Sequence, residues 1–387
     1  MSEWKKVKLE DVCEITSSKR IYLSDYVSTG IPFYRSKEII EKKRGADITN
    51  FLYISKEKYD NIKKNFGVPQ SGDLLVTSVG SLGIPYVIMD EDPFYFKDGN
   101  LIWFKNFCKC LNSKFLYYWM CSSAGHSALL NIAIGSAQKA LTISAFKNFS
   151  IYIPQIEVQN RLVEILSRYD SLIENYKKQI KLLEEAAQRL YKEWFVDLRF
   201  PGYENTPVVD GVPEGWEKKR LGEVSEFRRG KTITKKDTID GNIPVIAGGL
   251  EPAYYCNKYN TSNRVITISG SGANAGFTRM YYENVWASDC SYVDSASTEY
   301  LHFTYCFLLS NKKAIDNMQK GSAQPHVYAK DINRLDVVVP DLSILDRFEF
   351  QASSIFDKIK NAVNQIKKLT EARDRLLPKL MSGEIEV

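Results

Sequence analysis

A chain of 387 residues, 44% of them hydrophobic, exceeds what one core usually organises, so two or more globular units are expected. No run approaches the roughly 18 to 20 consecutive apolar residues of a membrane span, and the start at Met1 lacks an apolar secretory segment; a cytoplasmic protein without a membrane partner is expected. The net charge of +5 is only mildly basic: residues 1–154 hold 20 basic against 15 acidic side chains and the remainder balances, so any positive surface in the second half must be local.

The opening segment carries Trp4, Leu9, Val12, Ile31 and Pro32, which recur 212 residues later as Trp216, Leu221, Val224, Ile243 and Pro244. Short β-like runs punctuated by glycine follow, from Leu74 to Ser81 in the first copy and from Arg264 to Gly272 in the second. The 23 tyrosines and 19 phenylalanines suit packing in such strands better than base or sugar contact. Seven cysteines are scattered from Cys13 to Cys306; the nearest pair, Cys108 and Cys110, lacks the two-residue gap of zinc or redox motifs, and all seven are read as reduced and structural.

Gly135-Ser-Ala-Gln138 recurs as Gly321-Ser-Ala-Gln324, and Pro154 as Pro340, both at a separation of 186. The chain is therefore duplicated, with an interior about 26 residues longer in the first copy, the difference between the two offsets. After Pro154, apolar or aromatic residues alternate at steps of four and three: Leu162, Leu166, Tyr169, Ile173, Tyr176, Ile180, Leu183, Ala187, Leu190 and Trp194. The same offset gives Phe348, Ala352, Ile355, Ile359, Ala362, Ile366, Leu369, Arg373, Leu376 and Leu380, apolar except at Arg373. Such spacing predicts two coiled-coil helices, each about 50 Å long over its seam, whose equal stripes bury one another. Antiparallel pairing is expected. The fold class is α+β, with a globular domain at 1–153, a central helix at 154–200, a second globular domain at 201–339 and a C-terminal helix at 340–387.

Three segments carry a family resemblance: Leu183-Glu-Glu-Ala-Ala-Gln-Arg-Leu-Tyr-Lys-Glu-Trp-Phe-Val-Asp197; Phe200-Pro-Gly-Tyr203 with Val209-Asp-Gly-Val-Pro-Glu-Gly-Trp216; and Arg373-Asp-Arg-Leu-Leu-Pro-Lys-Leu-Met-Ser-Gly-Glu-Ile385. Along nearly its whole length the chain resembles the specificity subunits of type I restriction-modification enzymes. The first helix opens with Ile153-Pro-Gln-Ile-Glu-Val-Gln-Asn-Arg-Leu162, near the family's proline-then-glutamine start, whereas the second, from Val339 to Phe348, lacks the glutamine. The resemblance implies that each globular domain is a target recognition domain reading half of a split, asymmetric double-stranded DNA sequence, with the paired helices spacing the halves. It implies two methyltransferase subunits and restriction subunits as partners in phage defence. No cofactor is expected in this chain; S-adenosylmethionine, ATP and Mg belong to those partners.

No catalytic or metal-binding set stands against this reading. Ser225 to Thr232 ends like a phosphate-binding loop but has serine where the first glycine belongs. Asp25 with Glu41 and Lys43 is a permissive nuclease-like spacing, Asp92-Pro-Phe-Tyr95 lacks the second proline of the adenine methyltransferase motif, and His126, His302 and His326 have no ligand spacing. For DNA contact, polar and basic loop residues are chosen because base edges and phosphates are met by such groups. They are Ser18, Lys19, Arg20, Arg35, Ser36, Ser78, Ser81 and Gln138 in the first copy, and Lys231, Lys235, Lys236, Ser271, Asn274 and Gln324 in the second. Service to a fused methyltransferase-nuclease, a coiled-coil adaptor without DNA, and an independent enzyme stay open as alternatives.

Overall fold

The computed structural model describes residues 4–45, 48, 51–89, 92–136, 138–319 and 325–387. The chain forms two compact units, Met1–Asn175 with Ile366–Val387, and Tyr176–Gln365. Two helices of 40 residues each, Ile156–Phe195 and Leu342–Met381, contribute to both.

In the first unit the start of the first long helix meets the end of the second: Arg373 Nη1 lies 2.6 Å from Asp170 Oδ1. In the second unit the pairing is reversed, with the Trp194 and Phe195 rings 5.9 and 4.9 Å from that of Phe348. The helices therefore run antiparallel, as expected. Of the seam, Leu162, Leu166, Ile173, Ala187, Trp194, Phe348, Ala352, Ile359, Ala362 and Leu380 are buried. Tyr169, Tyr176, Ile180, Leu183, Leu190, Ile355, Ile366, Leu369 and Leu376 are half-buried. The buried stripe is wider than a two-residue seam, because Tyr191 and Phe356 are also enclosed and Tyr191 packs on Phe303, 5.6 Å between centroids. Each helix thus serves as a wall of a globular core as well as a partner for the other helix.

The helix starts differ for a physical reason. Gln159, fully buried, donates to the carbonyls of Pro154 (2.8 Å) and Cys110 (2.9 Å) and accepts from the Asn112 amide (2.9 Å). Its counterpart in the second copy is Leu345, also fully buried, and there Asp341 Oδ1 caps the helix by accepting from the amides of Ser343 (2.9 Å) and Ile344 (3.2 Å).

The sheets repeat. Lys5–Lys8 pairs antiparallel with Ser150–Ile153, and Glu217–Arg220 with Asp336–Val339; Lys5 faces Ile153 as Glu217 faces Val339, the same pair displaced by the two offsets read in the sequence. Each unit then has a four-stranded antiparallel sheet, Glu14–Thr16, Leu101–Lys105, Leu74–Thr77 and Pro85–Val87 in the first, Arg228–Arg229, Cys290–Asp294, Val265–Ser269 and Thr278–Tyr281 in the second. Leu74–Thr77 and Val265–Ser269 are buried at every residue; the apolar run Leu74–Val76 foretells this in the first unit, whereas in the second the alternating Thr267 and Ser269 are enclosed as well. A further sheet in each unit contains one parallel pair, Phe33 beside Tyr95 in the first and Val245 beside Trp286 in the second. The first unit's longer interior holds the helices Ser36–Arg44 and Lys56–Phe66; between Ile246 and Val265 the second unit has only the strand Tyr254–Cys256.

One expectation is corrected. Cys108 and Cys110 form a disulfide, their Cα atoms 5.3 Å apart, because the turn that follows Leu101–Lys105 folds the two back on each other across Lys109. The other five cysteines are unbridged. No helix among the described residues is long and apolar enough to cross a membrane.

Candidate nucleic-acid interface

Strand register gathers the candidate loops. In the first unit Thr16 stands opposite Trp103 and Thr77 opposite Leu101, so two strands end and a third begins at one edge of the four-stranded sheet. The loops at that edge hold one another. Ser17 Oγ donates to the Leu101 carbonyl (3.0 Å), Ser78 Oγ to Gly99 (2.9 Å), and Ser36 Oγ to Asn100 (3.1 Å). The Lys19 amide donates to the Tyr95 hydroxyl (2.7 Å), and Arg20 pairs with Asp98 at 3.0 Å.

Gln138 is exposed near the tip of a turn closed by reciprocal backbone bonds between Ile134 and Ala140, at 2.9 and 2.8 Å. Gly135 adopts φ +112° there, and a Cβ on it would fall 2.4 Å from the Gln138 carbonyl oxygen, so glycine is required. The turn is attached to the strand-end loop by the Leu141 amide, which donates to the Ser78 carbonyl at 2.9 Å. The second unit repeats the attachment: the Val327 amide donates to Gly270 and the Gly272 amide to Pro325, both at 3.1 Å. Gln324 lies outside the described residues.

The second unit gathers its own set by the same register, Arg229 opposite Ser291 and Ser269 opposite Cys290. The Lys231 backbone is fixed by its amide to Ala287 (2.9 Å) and by Trp286 Nε1 donating to its carbonyl (2.7 Å), which leaves the side chain exposed. Lys235 and Lys236 sit exposed on a short turn, Lys235–Asp237, braced by Thr234 Oγ1 donating to Asp237 at 2.6 Å. Ser271 Oγ is engaged by the Asp289 carboxylate, and Asn274 Nδ2 donates to the Gly248 carbonyl at 3.4 Å.

The candidates therefore divide by what their side chains do. Lys19, Arg20, Ser81, Gln138, Lys231, Lys235 and Lys236 are exposed. Ser18 and Ser78 are buried, and Arg35 is tied to Glu38 within its own helix start. Sequence reasoning passed over Arg228 and Arg229, both exposed on the strand that leads into the lysine loop. They lay in view inside the segment weighed as a phosphate-binding loop. That segment is no such loop: Ser225 is buried against Thr298 and Thr304, and only a three-residue turn follows Thr232 where a helix would be needed.

The other enzyme-like patterns are also dispersed. Asp25 pairs with Lys58 at 3.2 Å while Lys43 lies over the Tyr117 ring. Phe94 and Tyr95 are core residues; His302 is buried against Glu349 at 2.7 Å, and His326 stacks on Tyr328.

Comparison with known proteins agrees with this architecture. The family model described as "Type I restriction modification DNA specificity domain" matches residues 1–185 and 213–373. The type I restriction enzyme MjaIX specificity subunit of Methanocaldococcus jannaschii is 27% identical over 421 residues, covering 100% of this chain and 94% of the relative. The HindI specificity subunit of Haemophilus influenzae is 22% identical over 469 residues, covering all of both chains. Among solved structures, the S subunit of the M. genitalium type I restriction-modification system superposes with a TM-score of 0.57 at 18% identity, covering 98% of this chain and 96% of that one, a likeness of fold. With two matched segments that lie one on each copy of a duplicated α+β frame, the chain belongs to the family of type I restriction-modification DNA specificity subunits.

Proposed function

We propose that this chain recognises a bipartite, asymmetric sequence in double-stranded DNA, one half through the strand-end loops of each unit, and carries no catalysis of its own. The observation that supports this reading is that both units gather loops at the same sheet edge while furnishing them differently: Lys19, Arg20 and Gln138 in one, Lys231, Lys235 and Lys236 in the other. A shared frame with unlike loops suits two unlike half-sites. In this reading two methyltransferase subunits and restriction subunits assemble on the chain in the cytoplasm, and S-adenosylmethionine, ATP and Mg act in those partners. Arg35, Ser36 and Ser78 hold the recognition loops, and Ser18, Ser81, Ser271 and Asn274 lie on them.

The test is single-molecule mapping of methyladenine across the genome of the source cell, with and without this gene, while the neighbouring methyltransferase gene stays intact. Loss of one split, asymmetric methylated motif on deletion is the expected result. An unchanged methylome in a strain with active methyltransferase would replace the proposal with the adaptor reading.

A further inference from the structure

One feature at the first unit's recognition edge is out of keeping with a polar DNA surface. Three residues beyond Arg20, the turn Leu23–Asp25 presents Leu23, 86% exposed, next to Tyr22, 62% exposed. Single exposed apolar residues are ordinary. This pair is different because the turn is braced from both flanks. Tyr22 donates its amide to Asp25 Oδ2 at 2.9 Å, and Lys58 holds the other oxygen of that carboxylate at 3.2 Å. On the near side Lys19 lies over the Phe66 ring, 4.3 Å from its centroid, and Arg20 is fastened to Asp98. Both Lys58 and Phe66 belong to Lys56–Phe66, a helix of the longer interior that distinguishes the first copy.

The duplication supplies the comparison. At the offset of 212 the same turn in the second unit is Lys235–Asp237, with Asp237 in the place of Asp25 and exposed lysine in the place of Leu23. One turn, at the same point of the repeated frame, carries cations in one copy and a braced apolar tip flanked by cations in the other. Cations at a DNA-facing tip meet phosphates, whereas a rigid leucine or aromatic tip among cations can enter the base stack.

Building on the proposed DNA-recognition role, we infer that Leu23, supported by Tyr22, is a wedge that inserts at a base-pair step of the half-site read by the first unit, while the corresponding turn of the second unit grips the backbone. Specificity at that step then comes from how readily the step unstacks, which favours pyrimidine–purine steps. Lys19 and Arg20 hold the flanking phosphates, and the helix Lys56–Phe66 keeps the tip from folding back onto the protein.

The test uses the full chain purified with its methyltransferase and duplexes carrying the motif obtained by methylome mapping, with 2-aminopurine placed singly along both halves. Wild type is expected to raise the fluorescence at one position, in one half only, that Leu23→Ala silences while weakening binding about tenfold or more. Leu23→Met should keep the signal. Leu23→Lys should bind without it and with a steeper salt dependence, as a copy of the second unit's turn would. Signals from adenines extruded by the methyltransferase do not respond to Leu23 and are thereby separated. A sequence-specific complex with no Leu23-dependent position, and with Leu23→Ala binding within about twofold of wild type, would overturn the wedge and leave DNA recognition standing. Failure of wild type to form any sequence-specific complex would overturn both.

Discussion

Asp73 lies buried at the end of the first unit's four-stranded sheet opposite the loop-bearing edge, accepting from the Gln70 amide at 3.0 Å and from Trp103 Nε1 at 2.8 Å. Burial raises its pKa above the ordinary carboxylate value, and the two hydrogen bonds only partly oppose this. The folded state thus holds the proton more tightly than the unfolded state. Stability from this group is full below the unfolded pKa and declines as pH rises through the folded one. Asp73→Asn keeps an acceptor for both donors and removes the charge, so its stability should match wild type at about pH 3, below the ordinary aspartate value, and exceed it increasingly as pH rises through the folded pKa, measured by urea midpoints. The lysines at the second unit's edge act by charge. Replacing Lys231, Lys235 and Lys236 with alanine should weaken binding about equally for all sequences and shallow the salt slope by up to roughly 0.9 per lysine; an unchanged slope would remove them from the interface.

At the scale of elements, the long helices combine an apolar pairing stripe with one charged position. Arg373 is the polar exception in the second seam, and it meets Asp170, which also accepts from the Tyr118 hydroxyl at 2.6 Å. Both charged side chains keep close to a third of their surface exposed, so the pair is screened in part. Arg373→Ala should cost about 1–3 kcal/mol, since Asp170 would lose its charged partner in a largely packed setting. Phe348→Ala, which removes a fully buried ring from a cluster with Tyr191, Trp194 and Phe195, should cost about 3–5 kcal/mol by thermal or chemical unfolding. The helices themselves were legible in the spacing, but Gln159 was not: its side chain joins a carbonyl five residues back to one 49 residues back.

For the whole molecule, the proposal that paired helices space two half-sites gives a numerical expectation. One heptad inserted in phase into both helices lengthens each by about 10 Å, equivalent to about three base pairs of B-DNA. Methylome mapping of that variant should recover the same two half-motifs with a gap wider by about three base pairs. Recovery of the original gap would show that something other than the helices sets it. Exchange of the second unit's loops alone should alter one half-motif and spare the other.

The duplication, the two long helices and their apolar stripes were set by the sequence alone, because each is a matter of spacing between near neighbours or of one segment repeating another. The tertiary structure decided which loop residues share an edge and which side chains face outward. Ser78 and Ser81 are alike in sequence, yet Ser78 turns inward to Gly99 while Ser81 is exposed; Ser36 is drawn to the same edge by Asn100, 64 residues away. Such outcomes depend on strand register between distant segments, where a shift of one residue reverses every side chain. The braced tip at Leu23 is of the same kind: its partners come from a helix more than thirty residues on, and no local pattern around Leu23 announces them.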